Sequence, residues 1–304
     1  FEKTNVNPSN KKASAEDYNE IVRDIDANSP ARFNADKKML YGASGCAGKI
    51  AVFAVRLDTF EEVVDEKVFY IGTNKPEEFN LLRRKLLKNS NELPIICEYM
   101  HKTLFNITEL YGKDVFLLIN YLGTNFMPFF FSLKGRFDAF IKRIPFLQNN
   151  LSDKILYFIS RIFPSHIPKV FLEYRDKYEH YLILRCSGSS FIQTKEIISN
   201  VFNNNTEQYT LCSNKEAKKI LLQRFAAAGA AVRYSSINSK KIEGLLSLDV
   251  AFKRNDPDFY KELPSNISKY IEMPLICAHF LCHVFHQDYI VKKGTDIIKL
   301  KESL

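Results

Sequence analysis

Nothing in this 304-residue chain runs to 18 consecutive apolar residues, so no stretch reads as a helix crossing a bilayer. Cysteine is too sparse for a disulfide scaffold. Cys46, Cys97, Cys186, Cys212, Cys277 and Cys282 form no CxxC pair and read as reduced, mostly buried thiols of a cytosolic chain. There is no P-loop, no GxGxxG and no GxSxG, which leaves the common phosphate cradles and the hydrolase nucleophile elbow without support. The first residue is not Met and the opening, FEKTNVNPSNKK, is polar. No signal peptide is expected, and the chain reads as an excerpt of a longer protein. No internal repeat is found.

What is present can build a core. With 46% hydrophobic and 26% charged residues the chain falls in the globular class, and its length suggests about two domains at roughly 150 residues each. Forty-three Lys plus Arg against 35 Asp plus Glu leaves +8. That excess suits an anionic partner: a membrane surface, a nucleic acid or an acidic ligand.

Residues 1–40 are polar and irregular. The small-residue loop Gly42-Ala-Ser-Gly-Cys-Ala-Gly48 then leads into Lys49–Phe60, whose alternation predicts a strand. Such a loop suits a tight turn or a ligand close to the backbone. Beyond it, KVFYIGT, LPIICEYM and YGKDVFLLINYL predict strands, and PEEFNLLRRKLLKN predicts a helix opened by Pro76. After residue 178 the strands are YEHYLILRCSG, EQYTLC and AAVRYSS. The helices are FIQTKEIISNVF, NKEAKKILLQRFAAAG and SKKIEGLLSLDVAFKRN, the last capped by Ser239. This alternation with short links indicates an α+β fold around an antiparallel sheet.

Between the two blocks the character changes. Residues 126–172 hold seven basic residues, Lys134, Arg136, Lys142, Arg143, Lys154, Arg161 and Lys169, against Asp138 and Asp153. The same window carries eleven aromatics, with Phe129, Phe130 and Phe131 in a row. Phe137, Phe140, Ile141 and Ile144 share one helical face that Pro145 ends; Leu151, Ile155, Phe158, Ile159 and Ile162 make a second, stopped by Pro164. Three readings stay open from the residues: packing onto the core, lying in a membrane interface against anionic lipid, or stacking single-stranded nucleic acid.

The residues suited to chemistry lie mainly in the second half. His279, His283 and His286 sit close together in Cys277-Ala-His-Phe-Leu-Cys-His-Val-Phe-His286. In one extended strand His279 and His283 face one way and His286 the other, unless a bulge or turn intervenes. Neither this spacing nor the neighbouring cysteines makes a stock zinc motif; structural histidines and site histidines both fit. Arg224 and Arg233 flank Phe225-Ala-Ala-Ala-Gly-Ala-Ala231, where small neighbours leave room for a carboxylate to reach a guanidinium; surface arginines at a helix end fit equally. Glu98 and His101 close an apolar strand, as ordinary capping residues do.

A resemblance goes further. SPARFNADKKMLYGASGCAGKIAVFAVRLDTFE, VFYIGTN, EYMH, YGKD, MPFFFSLKGR, Ile162-Phe-Pro-Ser-His166, RDKYEH, RFAAAGAAVRY and VFHQDYIVKKG together resemble the membrane-associated, quinone-dependent D-lactate dehydrogenases of bacteria. These are flavoproteins of the vanillyl-alcohol-oxidase-like group. The resemblance runs from about residue 20 to the end. It implies the end of an FAD-binding domain (1–58), a cap domain with an antiparallel sheet flanked by helices (59–125 and 175–304), and a basic helical membrane-binding segment inserted in the cap (126–174).

The resemblance also implies roles. Gly45-Cys-Ala-Gly48-Lys-Ile-Ala-Val52 is similar to the group's Gly-Ser-Glu-Gly-Thr-Leu-Gly-Val loop, so Gly45, Cys46, Gly48, Ile50 and Val52 are expected at the flavin, Val52 through its main chain. Ala47 stands where many relatives have Glu. His279 and His286 resemble a His-x6-His pair that binds a divalent ion in metal-dependent relatives, although Leu-Cys-His-Val replaces Gly-Asp-Gly-Asn between them. Both rings reach one site only if the strand is bulged, and whether a metal is bound stays open. Arg224 and Arg233 match positions that hold the substrate carboxylate. The basic residues of the insert other than Lys169, together with Phe129, Phe130 and Phe131, match the membrane segment. The implied activity is oxidation of D-lactate to pyruvate by FAD, with electrons passed to a membrane quinone at the cytoplasmic face of the bacterial inner membrane. No nucleic acid is expected. The competing readings are a module that only binds acidic lipid, and a soluble FAD dehydrogenase for another D-2-hydroxy acid.

Overall fold

Nearly unbroken apolar runs such as VFYIG and YLILRC fit strands covered on both faces, because neither set of alternating side chains meets water. In the computed structural model the described residues are 17–32, 49–53, 63, 65–144, 146–147 and 150–304. In chain order they form α1 (Tyr18–Arg23), β1 (Glu66–Thr73), α2 (Pro76–Asn89), β2 (Ile96–His101), α3 (Lys102–Tyr111) and α4 (Lys113–Leu122). There follow α5 (Met127–Ile141), α6 (Leu151–Ile162), α7 (Lys169–Lys177), β3 (His180–Ser187), α8 (Phe191–Val201), β4 (Tyr209–Leu211), α9 (Asn214–Phe225) and α10 (Ala227–Ile237). The last are β5 (Ile242–Ala251), α11 (Ser265–Ser268), β6 (Ile271–His279), β7 (Val284–Lys292) and α12 (Ile297–Ser303).

The strands make one seven-stranded sheet, order β4-β1-β3-β2-β6-β7-β5, with every pairing antiparallel. Strands from before and after residues 126–174 therefore share a single sheet. One face lies under α2 and α8, which bury Phe79, Leu82, Leu86, Ile197 and Ile198 against Phe69, Tyr99 and Leu182. The other lies under α3, α7, α9 and α10, with Phe105, Phe171, Ile220 and Ala230 packed against Tyr70, Tyr181 and Cys277. The antiparallel sheet flanked by helices agrees with the α+β expectation. Of the cysteines, Cys97, Cys186, Cys277 and Cys282 are buried and Cys212 is half-buried, all free; Cys46 lies outside the described residues.

Three elements differ from the sequence reading. YGKDVFLLINYL forms helix α4, not a strand: Gly112 and Gly123 bound it and Asp114 lies in its first turn, where the helix N-terminus favours an anion. AAVRYSS lies in helix α10, because the alanine-rich run before it carries high helix propensity. SKKIEGLLSLDVAFKRN does not form a helix capped by Ser239; it contains strand β5. There Leu246, Leu248 and Val250 alternate with Ser247 and Asp249, and Gly244 sits at a register shift against β7. Lys49–Phe53, the described part of the expected strand Lys49–Phe60, is irregular, and the rest lies outside the described residues.

The basic, aromatic segment forms α5 and α6, and α6 is built inside out. It buries Ser152 and Ser160 while Ile155, Phe158, Ile159 and Ile162 stay exposed. On α5, Phe129, Phe131, Leu133, Phe137 and Phe140 are exposed too, while Lys134 turns inward to pair with Asp138 at 2.8 Å and Asp153 at 3.2 Å. Packing onto the core does not account for these faces. No single helix among the described residues is long and apolar enough to cross a membrane; α4 and the helical stretch Thr124–Ile141 meet that test only together, bent by 114° at Gly123, whose φ is +78°.

Candidate functional site

A hairpin brings the two outer histidines together. β6 ends at His279, a turn through Phe280–His283 follows, and β7 returns with Val284 paired to His279 and His286 paired to Cys277. Residues His279 and Cys277 lie on one face of β6, and His286 stands opposite Cys277, so both rings share that face. Their centroids are 5.2 Å apart, at 80° to each other. A turn, not a bulge, solves the spacing problem, with His283 at φ +55° within it. His283 is fully buried, next to the side chain of Arg83, and burial lowers its pKa from 6.5 to about 3.

Each of the paired rings meets a carboxylate directly across the ladder. Glu98 of β2 is paired with His279, and its Oε1 lies 2.7 Å from His279 Nδ1. Asp249 of β5 is paired with His286, and its Oδ1 lies 2.6 Å from His286 Nδ1. A carboxylate accepts, so each Nδ1 carries a proton, and in the neutral form of either ring Nε2 holds the lone pair. Arg224, in the last turn of α9, pairs with the other oxygen of Glu98 at 2.9 Å. Helix α9 is held at its start by a capping box between Ser213 and Glu216. Beside this group the Cys277 thiol is pushed up to about 11 by burial, and burial raises the Asp288 carboxyl.

The group opens on a cleft of about 1400 Å³ at the end of the sheet where β1, β2 and β7 begin and β3, β5 and β6 finish. Glu98, His279, His286 and Asp249 line it, with Arg185 and Arg32 as further cations. This arrangement can take a proton at His286 or His279, stabilise the resulting imidazolium with Asp249 or Glu98, and hold an anion beside the arginines. As metal ligands the two imidazoles find no third partner among the described residues.

The other expected site residues fall as follows. Arg233 is not in this group: it is buried on α10, paired with Asp114 and, at 3.5 Å, with Asp153. That places it under the α4–α6 helices, apart from Arg224. Ile50 and Val52 are exposed, and Gly45, Cys46 and Gly48 lie outside the described residues. Arg136, Lys142, Arg143 and Arg161 are exposed on the helical segment, Phe130 is half-buried and Lys154 is half-buried. Asp249 lies in a segment that reads as a helix from sequence, and the alternation of β5 is the signal that places it on a strand. Glu98 was visible only as a strand-end residue, since its pairing with His279 is a matter of register between distant strands.

The family described as "D-lactate dehydrogenase, membrane binding" matches residues 68–304. The chain is 48% identical to a quinone-dependent D-lactate dehydrogenase of Escherichia coli, over 95% of this chain and 50% of that protein. It is 46% identical to one of Haemophilus influenzae over 93% of this chain and 50% of that protein. With one of Corynebacterium glutamicum the identity is 36%, over 98% of this chain and 52% of that protein. The chain thus spans about half the length of the curated relatives it matches.

Proposed function

The chain belongs to the D-lactate dehydrogenase membrane-binding family, and from that premise we propose that the whole protein is a peripheral membrane flavoprotein. It oxidises D-lactate to pyruvate and passes the electrons to a membrane quinone at the cytoplasmic face of the inner membrane. Residues 126–174 are its membrane-binding segment, inserted between two parts of a cap domain. The observation that carries the catalytic part is the meeting of His279 and His286, each braced at Nδ1 by a carboxylate, beside Arg224.

FAD is the redox group we propose, and when bound it supplies acceptance of a hydride from the substrate carbon. The described residues do not by themselves fit a flavin: Lys49–Phe53 is an exposed, irregular stretch and encloses nothing. This chain's own part is the handling of the substrate's charge and proton. Arg224, which also pairs with Glu98, takes the carboxylate of D-lactate. His286 Nε2 takes the hydroxyl proton, and Asp249 stabilises the imidazolium that forms. His279, held by Glu98, completes the wall against which the hydroxyl sits.

In the full-length enzyme Arg224→Ala should raise KM for D-lactate, and unchanged kcat/KM would remove Arg224 from the site. For the helical segment, vesicle sedimentation should show binding that needs anionic lipid and weakens with salt. Equal binding to neutral vesicles would refute the electrostatic part.

A further inference from the structure

Where the helical insert meets the rest of the fold, a second cleft of about 670 Å³ opens that the proposed reaction does not use. Three separate stretches of chain line it. Lys142 comes from the end of α5, Leu147 and Lys154 from around the start of α6, and Ile237, Ser239 and Lys240 from the end of α10 and the turn after it. Three of these side chains are cations, and no carboxylate among the described residues is in the lining.

The acids close by in sequence are engaged elsewhere. Asp138, the one acid of α5, pairs with Lys134 at 2.8 Å. Asp153, next to Lys154, pairs with Lys134 at 3.2 Å and Arg233 at 3.5 Å and accepts from the Ser236 hydroxyl at 2.7 Å. Lys142 and Lys240 are both exposed, and neither forms an ion pair among the described residues. The walls are held in place: Asn150 Nδ2, at the N-cap of α6, donates to the Ser236 carbonyl at 2.6 Å, which fastens the start of α6 to the end of α10. The cleft is therefore a cationic pocket that does not depend on a ligand for its shape.

Its surroundings say what kind of anion it suits. Leu147 and Ile237 put apolar surface beside the lysines, and Phe140 and Phe146, which flank Lys142 in the chain, are 59% and 95% exposed. Resting on the membrane reading of residues 126–174, we propose that this cleft is a headgroup site for the phosphate of one anionic phospholipid. The ammonium groups of Lys142 and Lys240 meet the phosphate oxygens as point charges, the Ser239 hydroxyl donates to it, and the acyl chains leave past Leu147 towards the exposed rings. Ser239 and Lys240 lie outside the insert, so the site is complete only where insert and cap meet. A lipid held there ties the insert to the turn that leads into β5, the edge strand that carries Asp249.

The test titrates full-length protein with dihexanoylphosphatidylglycerol below its micelle concentration, followed by phosphorus NMR line broadening. Binding should saturate at one lipid per chain. Lys142→Gln and Lys240→Gln should each weaken it about fivefold, with the melting temperature unchanged because both side chains are exposed. Inorganic phosphate, which has no chains to meet Leu147 and Ile237, should bind at least about tenfold more weakly. Arg136→Gln, outside the lining, should leave this titration unchanged while it weakens vesicle binding, so loss of the headgroup site and loss of the membrane reading show separately. No saturable binding, no effect of Lys240→Gln, an equal effect of Arg136→Gln, or inorganic phosphate binding as tightly as the lipid would each overturn the assignment.

Discussion

The inverted polarity of α5 and α6 gives a prediction with a magnitude. Phe158 is 68% exposed, Phe129 61%, Phe140 59% and Phe131 53%, so each ring has roughly three fifths of its surface left to bury. Full burial of a phenylalanine side chain is worth about 1.5–3 kcal/mol, so entry into a lipid interface should contribute about 1–2 kcal/mol per ring. A single Phe158→Ser change should then lower the partition coefficient onto anionic vesicles roughly 5–30-fold, since each 1.4 kcal/mol is about tenfold. The melting temperature should hardly move, because the ring touches little of the protein. Phe116 of α4, fully buried, should behave oppositely: Phe116→Ala costs about 3–5 kcal/mol of stability. Sedimentation with vesicles and thermal melting of the same samples separate the two. If Phe158→Ser melted the protein early and left partitioning unchanged, the exposed face would be a packing surface and the reasoning would fail.

Other consequences follow from individual contacts. Lys134→Gln should leave vesicle binding nearly unchanged but lower stability, because Lys134 faces Asp138 and Asp153; Arg136→Gln should do the reverse, weakening binding by about 1 kcal/mol on anionic lipid. Arg233→Ala should destabilise by about 3–5 kcal/mol, since it strands the buried Asp114 without its partner, while Arg224→Ala should act mainly on KM; thermal melts and steady-state kinetics of the pair tell them apart. Burial lowers the pKa of His166 to about 4 and of His283 to about 3, from 6.5. The unfolded chain therefore takes up protons first as pH falls below 6.5, and stability should drop between about pH 6.5 and 3, by about 1.4 kcal/mol per histidine for each pH unit well inside that window. His283→Asn should flatten that part of a denaturation series, and an unchanged slope would count against a neutral buried His283.

Much of the fold was legible where local signals agreed. Pro76 and the acidic first turn announced α2, and apolar runs bounded by turns announced β1 and β3. Reading failed where a short apolar segment satisfies both periods. KDVFLLINYL is apolar enough for either state, and its place against α6 and α9 decides for helix. In IEGLLSLDVA the glycine and the adjacent leucines disguised a strand whose alternation resumes only at Leu246. The site was half visible for a related reason. Histidines can be found by their spacing, but Glu98 and Asp249 reach them through pairings between strands about 180 and 37 residues apart. Which of two arginines meets the histidine pair depends on the break between α9 and α10: Arg224 of α9 pairs with Glu98, whereas Arg233 of α10 pairs with Asp114 and Asp153 of α4 and α6.

The most direct measurement is the anaerobic half-reaction of the full-length, FAD-loaded protein, followed by flavin absorbance after adding D-lactate or L-lactate. D-lactate alone should bleach the flavin, and His286→Gln should slow that bleaching by about 10²–10⁴-fold with FAD still bound. Bleaching by L-lactate as fast as by D-lactate, no bleaching by either, or an undiminished rate in His286→Gln would contradict the account.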